Sequence, residues 1–335
     1  MEKLLTISIA AYNVEGYIRN TLDSLIVPEI LDKLEVFIVD DGGNDNTLQI
    51  AREYESKYPE TFHAVHKENG GYGSTVNYSI AHATGKYFKL LDGDDWYLSR
   101  NLKRLISDLE RINSDVVVTN YEICKEGIDE YKTSLGCNFL PNKEILLSSC
   151  NVEGGFGMWA LIFKTDILRK SGVRLPEHRL YTDQLYCTIP FRLVNSIIYF
   201  DYSIYCYRIG RDGQSVSRES RMKHVDDALA NCYELCEFYN EMKKSNNQNL
   251  KYFHKRISKY VWLGFHTILL FPIENRIQEK LKEFDCKIIA ECSDIAREIG
   301  HMHGIWGLHI RLCRKTNYWA YWLIGLIPGG VKNWQ

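Results

Sequence analysis

The sequence lacks an excess of charge of either sign. It contains 41 Lys and Arg against 43 Asp and Glu, a net charge of −2 at pH 7. Proteins that bind nucleic acid usually carry a basic face that attracts the phosphate backbone. The near balance of charge therefore predicts that nucleic acid is not a partner.

Long apolar runs are also absent. No segment reaches the roughly 18 to 20 consecutive apolar residues that a membrane-spanning helix needs. The apolar stretch at the N-terminus covers only about eight residues and runs directly into polar sequence, unlike a signal peptide. We therefore expect it to form a first strand.

Paired cysteines are missing as well. The ten cysteines are scattered, without a C-x-x-C pair or a spacing typical of zinc ligands. In a chain of 335 residues this predicts reduced, buried thiols and not a disulfide framework. The expected location is the cytoplasm, either free in solution or peripheral at the inner face of the cell membrane.

What is present is a regular alternation of short apolar segments and amphipathic segments over the first 120 residues. The apolar segments predict strands at residues 4–10, 34–39, 62–66, 87–91 and 115–120. The amphipathic segments predict helices at residues 15–26, 47–58, 75–83 and 98–112. This order predicts an α/β fold with a mainly parallel sheet flanked by helices.

The second half of the chain has a different character. Residues 182–193 predict a helix and residues 197–207 predict one or two β segments. Helical periodicity then dominates at residues 225–244, 250–270, 277–298 and 305–315. We predict an α/β domain over residues 1–217 and a helical domain over residues 218–335, which serves acceptor binding, membrane contact or oligomerisation.

The densest group of acids follows the predicted strand 87–91. Asp92, Asp94 and Asp95 lie within four residues and are interrupted only by Gly93. Carboxylates this close repel one another unless a cation lies between them, and oxygen ligands suit Mn²⁺ or Mg²⁺. The alternative is a solvated acidic turn that caps the next helix.

The ends of the four early strands carry a complementary set of groups. Tyr12 follows the first strand, Asp41 the second and the glycine-rich segment 69–74 the third. The carboxyl ends of parallel strands meet at one crevice, where such folds bind ligands. An aromatic ring, an acid, a glycine-rich loop and a metal site together suit a nucleoside diphosphate. The G-x-G-x-x-G of a dinucleotide site and the G-K-[S/T] of a P-loop are both absent.

Four motifs in this order resemble family 2 glycosyltransferases of the GT-A fold, the type that builds bacterial polysaccharides and glycoconjugates. They lie at residues 6–13, 39–47, 68–77 and 91–96. The resemblance is good over residues 4–120 and extends loosely to about residue 217. The remaining residues resemble no family that we can name.

The resemblance implies a role for each matching residue. Tyr12 would flank the uracil beside the Ala10 backbone, and Asp41 would accept a hydrogen bond from the uracil imide N–H. Asp92 would approach the ribose or the sugar. The implied donor-binding residues are Ala10, Tyr12, Asp41, Gly71, Asn77 and Asp92. The implied ligands of Mn²⁺ or Mg²⁺ are Asp94 and Asp95.

One position departs from the family pattern. A basic residue often precedes the residue that is Asn77 here, whereas this chain has Val76. Another cation or the backbone amides of residues 70–74 must then meet the diphosphate. The candidate cations are Arg208 and Arg211.

Asp183 is the candidate general base. The segment 181–186 resembles the family's Glu-Asp motif at the start of a helix below the acceptor, with Thr182 in place of the Glu. The alternative is that Asp183 only caps this helix. Trp159 resembles an aromatic residue beneath the acceptor sugar, and the alternative for it is a place in the core.

The resemblance implies an inverting hexosyl- or N-acetylhexosaminyltransferase. It would move a sugar from a UDP-sugar to a saccharide, a glycoprotein glycan or a lipid-linked acceptor. The alternatives are a nucleotidyltransferase and a non-catalytic sugar-nucleotide binder. The aromatic segment 318–327 follows three basic residues, a pattern that suits a membrane interface, packing on neighbouring helices or a homo-oligomer contact.

Overall fold

The computed structural model describes residues 2–127, 131–150, 152, 155–211, 213–302 and 304–326. The chain divides into two compact units. The first contains residues 1–151 and 156–212, and the second contains residues 152–155 and 213–335.

The first unit is a mixed, mainly parallel sheet with helices. Its strands are β1 (Leu5–Ala11), β2 (Leu34–Asp40), β3 (Phe62–His66), β4 (Tyr87–Asp92), β5 (Trp96–Tyr97), β6 (Val116–Lys125), β7 (Tyr131–Ser134), β8 (Ile145–Leu146), β9 (Leu161–Lys164) and β10 (Ser196–Ile209). Its α-helices are α1 (Ile18–Asp23), α2 (Thr47–Lys57), α3 (Tyr72–His82), α4 (Ser99–Arg111), α5 (Thr165–Ser171) and α6 (Asp183–Tyr186). Four 3₁₀ turns cover Pro28–Lys33, Leu147–Ser149, Met158–Ala160 and Ile189–Arg192.

The order of the strands creates the expected crevice. The main path of the sheet is β3-β2-β1-β4-β9-β6-β10-β5. Strand β1 pairs in parallel with both β2 and β4, so that Ala10 lies opposite Asp92 and Ala11 lies opposite Asp40. The direction of winding reverses between β1 and β4, and ligands of open α/β sheets bind at such a switch point. All seven residues of β2 are buried, as expected for a strand covered on both faces.

The long strand β10 brings distant residues to this crevice. It pairs in parallel with β6, and the register shifts between Phe200 and Ser203 and again between Ser203 and Tyr205. Beyond the shifts, Tyr205 lies opposite Tyr97 of β5. Since an irregularity of this kind re-aims the following side chains, the end of β10 faces the turn that carries the acids.

Two predicted helices are each divided in the structure. Residues 182–193 form the short α6 and the 3₁₀ turn Ile189–Arg192. The break follows from Pro190, which has no N–H to continue the helical hydrogen bonds. Residues 277–298 divide at Cys292, after which Ser293 and Asp294 begin a new helix, as residues of these types commonly do.

The second unit is helical. Its α-helices are α7 (Arg218–Lys223), α8 (Val225–Lys244), α9 (Leu250–Ile268), α10 (Asn275–Glu291), α11 (Ser293–His301) and α12 (Ile305–Lys315). A 3₁₀ helix covers Trp319–Leu326, and Ile327, the last residue of the aromatic segment, lies outside the described residues. Within the part of the chain that the structure describes, no helix is both long enough and apolar enough to cross a membrane.

A buried ion pair ties together the end of the second unit. Asp285 is fully buried and accepts hydrogen bonds from Nε and Nη2 of Arg314 at 2.8 and 2.7 Å. The hydroxyl of Tyr318 donates to the same carboxylate at 2.6 Å. This satisfied network joins α10, α12 and the start of the last 3₁₀ helix.

Candidate active site

The acids lie in a tight turn directly after β4. The amide of Gly93 donates to the carbonyl of Ala10 at 3.1 Å, and the amide of Asp95 donates to the carbonyl of Asp92 at 3.0 Å. A Cβ atom at position 93 would lie 2.9 Å from the Ala10 oxygen. Glycine therefore lets the turn approach the end of β1. The carbonyl of Ala10 is occupied by the hydrogen bond from the Gly93 amide.

The three carboxylates of the turn converge. Asp92, Asp94 and Asp95 each offer an oxygen within 4.8 Å of the other two. Burial raises the pKa of Asp92, and the charges of Asp95, Asp94 and Asp183 raise it further, while Arg211 opposes them. Oδ1 of Asp92 is buried and has no hydrogen-bond partner among the described residues. A group of mutually repelling carboxylates, of which Asp95 is buried and the other two are half-buried, is suited to a hard cation.

Asp95 differs from its neighbours because both of its oxygens already accept hydrogen bonds. The hydroxyl of Tyr205 donates to Oδ2 at 2.6 Å, and the amide of Arg208 donates to Oδ1 at 2.7 Å. The same Tyr205 oxygen accepts the amide of Asp92 at 3.1 Å. Burial and Asp94 raise the pKa of Asp95, and the hydrogen bonds from Tyr205 and Arg208 act against them.

Two arginines at the end of β10 face the acids. Nε of Arg211 forms an ion pair with Oδ2 of Asp94, and Nε of Arg208 donates to the Asp94 carbonyl at 2.8 Å. The Arg208 guanidinium also lies 4.8 Å from the centre of the Trp96 ring. Val76, at the position where the family often has a basic residue, is fully buried. The structure thus brings both candidate cations to the acid cluster.

Asp41 holds the glycine-rich loop. Its carboxylate accepts the amides of Gly70 and Gly71 at 3.0 and 2.7 Å. It also forms an ion pair with Nζ of Lys67 at 2.9 Å and is nearly fully buried. Sequence reasoning missed Lys67. Its only signal was a cation at the end of β3, next to the glycine-rich loop.

Asn77 and the glycines of this loop contact the segment 175–178, which leads towards α6. The side-chain amide of Asn77 donates to the Leu175 carbonyl at 2.8 Å and accepts the Leu175 amide at 2.9 Å. The amide of His178 donates to the Gly70 carbonyl at 2.7 Å. Gly71 has a φ of +78° and a Cβ there would lie 3.1 Å from the His178 nitrogen. Asn77 therefore positions backbone that leads to the candidate base.

Two further predicted site residues are Tyr12, which precedes the acid cluster in the sequence, and Asp183, which follows it. Tyr12 is 51% exposed, which leaves its ring available for stacking. Asp183 is the first residue of α6, after the N-cap Thr182, and accepts Nε2 of Gln184 at 2.7 Å. Burial raises the pKa of Tyr72 and Tyr207, and the charge of Asp183 contributes to both shifts. Asp183 is therefore close enough to these tyrosines and to Asp92 to act on them electrostatically.

Trp159 is linked to the strand of the acids by a buried lysine. Its ring lies 4.5 Å from that of Tyr207, and its carbonyl accepts Nζ of Lys89 at 2.8 Å. Lys89, on β4, is fully buried, and this burial lowers its pKa to about 7. Sequence reasoning missed Lys89, whose signal is a cation in the middle of an apolar strand.

Comparison with known proteins decides the family. Residues 6–171 match the family model of glycosyl transferase family 2. These residues form a domain of this family. The resemblance drawn from the four motifs is thereby confirmed, and the protein is a glycosyltransferase.

The relatives agree with this assignment. EpsJ of Bacillus subtilis, described as an uncharacterized glycosyltransferase, is 26% identical over 247 residues, which cover 72% of this chain and 71% of EpsJ. A similarly described glycosyltransferase of Mycoplasma pneumoniae is 28% identical over 238 residues, which cover 69% of this chain and 77% of the relative.

A solved structure establishes the fold. TarS of S. aureus (residues 1–349), in complex with UDP-GlcNAc, superposes with a TM-score of 0.57 at 19% identity. The match covers 94% of this chain and 92% of that one. The predicted GT-A fold, with a mainly parallel sheet flanked by helices and followed by a helical region, is confirmed.

Proposed function

We propose that this glycosyltransferase moves a sugar from a UDP-sugar to a hydroxyl of a saccharide, glycoprotein glycan or lipid-linked acceptor, with inversion. The observation that carries the proposal is the convergence of Asp92, Asp94 and Asp95 at the carboxyl ends of β1 and β4. TarS, which shares the fold, was crystallised with UDP-GlcNAc and with UDP. These complexes support a uridine donor carrying a hexosyl or N-acetylhexosaminyl group.

The acid cluster would hold Mn²⁺ or Mg²⁺. Asp94 and Asp95 are the metal ligands implied by the family resemblance. The hydrogen bonds of the three acids indicate different roles for them. Asp92 has a buried oxygen without a hydrogen-bond partner among the described residues, whereas both oxygens of Asp95 accept hydrogen bonds. We infer that Asp92 and Asp94 would hold the ion and that Asp95, which accepts a hydrogen bond from Tyr205, would support them. When bound, such an ion neutralises the charge that develops on the departing diphosphate.

The donor site would use the residues around the crevice. The exposed ring of Tyr12 would lie against the uracil beside the backbone of Ala10. The carboxylate of Asp41 would accept the imide N–H while it keeps the loop of Gly71 in place. Arg208 and Arg211, which already contact Asp94, would meet the diphosphate in the absence of a cation at position 76.

Asp183 would act as the general base. The acceptor hydroxyl oxygen forms a bond to the anomeric carbon while the bond from that carbon to the diphosphate oxygen breaks. The proton of the hydroxyl passes to the Asp183 carboxylate, and UDP leaves with the bonding electrons. The proximity of Asp183 to Asp92, seen in the raised pKa of Asp92, supports this placement.

The cytoplasm is the location that we propose for this reaction. All ten cysteines are free thiols and most are buried, as expected for a reducing compartment.

A panel of labelled nucleotide sugars tests the proposal. The purified protein is mixed with UDP-, GDP- and CDP-sugars, Mn²⁺ and a set of saccharide acceptors, and release of the nucleoside diphosphate is measured. We expect UDP release from a UDP-sugar, loss of release in EDTA and recovery with added Mn²⁺ or Mg²⁺. Full activity in EDTA would overturn the metal proposal, and release only from GDP- or CDP-sugars would overturn the donor proposal. Release of pyrophosphate from UTP would instead favour a nucleotidyltransferase.

A further inference from the structure

Helix α12 carries a row of exposed apolar side chains. Ile305, Leu308 and Leu312 are 49%, 52% and 38% exposed. At about 100° per residue, these three positions lie within roughly 60° of the helix circumference. The opposite side of α12 is buried, with Ile310 and Cys313 in the core of the second unit. The exposed row is therefore a defined face of the helix and not a set of scattered residues.

Positive charge flanks this row. Arg311 and Lys315 lie beside Leu308 around the helix, within about 60° of it. Neither cation forms an ion pair with an acid among the described residues, whereas Arg314 on the other side is used by Asp285. Residues 299–335 contain four Lys and Arg and no Asp or Glu. The end of the chain is thus both apolar and basic.

The aromatic segment after α12 divides into an inner and an outer face. Trp319 and Trp322 are 66% and 43% exposed. Because they are three residues apart in a 3₁₀ helix, they lie on one side of it. Tyr318 and Tyr321 are buried instead, and the Tyr318 hydroxyl is bonded to Asp285. The tyrosines thus stabilise the unit, while the tryptophans are left at its surface.

We propose that these side chains form a docking surface for a bilayer that contains anionic lipids. The surface, here called the α12 surface, consists of Ile305, Leu308, Arg311, Leu312, Lys315, Trp319 and Trp322. Apolar side chains of an amphipathic helix enter the boundary between headgroups and acyl chains, while basic residues attract anionic headgroups. Tryptophan is enriched at the same depth.

A second copy of the chain fits this surface less well. In a two-fold interface the same patch meets itself. Arg311 and Lys315 of one copy would then approach the same cations of the other, and the segment offers no acid to neutralise them. Charge complementarity therefore favours anionic lipid over a dimer.

Vesicle co-sedimentation without donor or acceptor tests the proposal. One set of vesicles contains equal parts of phosphatidylglycerol and phosphatidylcholine, and the other contains phosphatidylcholine alone. We expect the full-length protein to bind the anionic vesicles and to be released by salt. The double variant Leu308→Glu/Leu312→Glu should lower the partition coefficient by about tenfold or more, since charged residues cannot enter the acyl boundary. Arg311→Glu/Lys315→Glu should abolish the preference for anionic vesicles.

Ile289→Glu is the matched control. Ile289 is 39% exposed on α10, outside the α12 surface, so this variant should bind like the wild type. Circular dichroism and UDP release with a soluble acceptor show whether each variant is folded, and neither readout depends on lipid. Equal binding of the wild type and Leu308→Glu/Leu312→Glu would overturn the proposal. The proposal would also be overturned if the wild type were a dimer that does not bind vesicles and the Leu308→Glu/Leu312→Glu variant were a monomer.

Discussion

Asp92 and Asp95 share one neighbour, the hydroxyl of Tyr205. This oxygen accepts the Asp92 amide and donates to the Asp95 carboxylate. The side chain is fully buried, so the hydroxyl has a fixed orientation between the two acids. A group that orients metal-binding carboxylates by a hydrogen bond, without contacting the metal itself, commonly contributes 10- to 100-fold to metal affinity or activity.

Tyr205→Phe should therefore raise the Mn²⁺ concentration needed for half-maximal transfer by roughly 10- to 100-fold. Titration of UDP release against Mn²⁺ measures the effect. Tyr97→Phe is the control, because its equally buried hydroxyl donates only to the Leu90 carbonyl at 2.9 Å. An unchanged Mn²⁺ requirement in Tyr205→Phe would show that this hydroxyl does not support the metal site.

Asp183 can be tested as base or cap with one substitution. If it is the base, Asp183→Asn should lower transfer by roughly 10²- to 10⁴-fold, the usual weight of a positioned acid or base. Binding of UDP should change little, because the donor residues lie elsewhere. Asn caps a helix nearly as well as Asp, so a capping role predicts near-normal transfer.

The matched control for this test is Asp166→Asn. Asp166 lies in the first turn of α5 and pairs with Lys170 on the exposed surface. We expect full activity from it. Comparable rates for both variants would move the base away from Asp183, and Asp201 would be examined next.

The lowered pKa of Lys89 predicts that the free energy of unfolding depends measurably on pH. Burial lowers its pKa from 10.5 to about 7 in the folded protein. Between these values the unfolded chain binds a proton that the folded protein does not, so stability rises with pH. Below pH 7 the buried, charged Lys89 lowers the free energy of unfolding by its full amount. This destabilisation is lost as pH rises towards 10.5.

Urea unfolding at a series of pH values checks this sign. Relative to Lys89→Met, the free energy of unfolding of the wild type should rise by about 1.4 kcal/mol per pH unit above pH 7. Lys103→Met, which removes an exposed lysine paired with Glu29, should show no such slope. Parallel curves for the wild type and Lys89→Met would contradict a neutral, buried lysine.

At the scale of elements, α3 and the segment 175–178 fit together through glycine. A Cβ atom at Gly73 would lie 2.3 Å from the Pro176 carbonyl and 3.0 Å from Cβ of Leu175. The first of these atoms belongs to the backbone and the second is bonded directly to it. Neither is the end of a flexible side chain that could move away. The contact matters for function because this segment leads to α6 and Asp183.

Gly73→Ala should lower the free energy of unfolding by about 1 to 3 kcal/mol, the usual cost of overpacking. It should also lower transfer, because the start of α6 would shift. Gly16→Ala is the control, since a Cβ atom at that position meets nothing within 4 Å. Normal stability and activity of Gly73→Ala would mean that the segment relaxes freely.

At the scale of the whole molecule, the proposed donor residues all belong to the first unit. A ligand that binds only the folded state raises the melting temperature according to its affinity. UDP with Mn²⁺ should therefore raise the melting temperature clearly. CDP should raise it much less, because cytosine has no imide N–H for Asp41 and such a bond contributes on the order of 1.5 to 3 kcal/mol.

Thermal unfolding monitored with each nucleotide provides the measurement. The Asp41→Asn variant should respond to UDP no better than to CDP. Equal shifts of the wild type with UDP and CDP would refute the role of Asp41 in the donor site.

The sequence by itself determined the class of fold and the place of the acids. Apolar strands followed by polar turns are local patterns, and residues such as Asp41 and Asp92 stand directly after the strands that carry them. The carboxyl ends of parallel strands meet at one edge of the sheet, so residues that directly follow such strands are expected to lie together. This is why the crevice and its acids could be predicted without coordinates.

The tertiary structure alone decided which partners each acid has. Tyr205 lies 110 residues after Asp95, and Lys67 lies 26 residues after Asp41. The register shifts in β10 set which side chains of its end face the acids, and no local pattern encodes such a shift. The partners of Asp95, the link from Lys89 to Trp159 and the outward direction of Trp319 all depend on contacts between segments distant in sequence. They become fixed only when those segments pack, because packing selects one arrangement among many that local preferences allow.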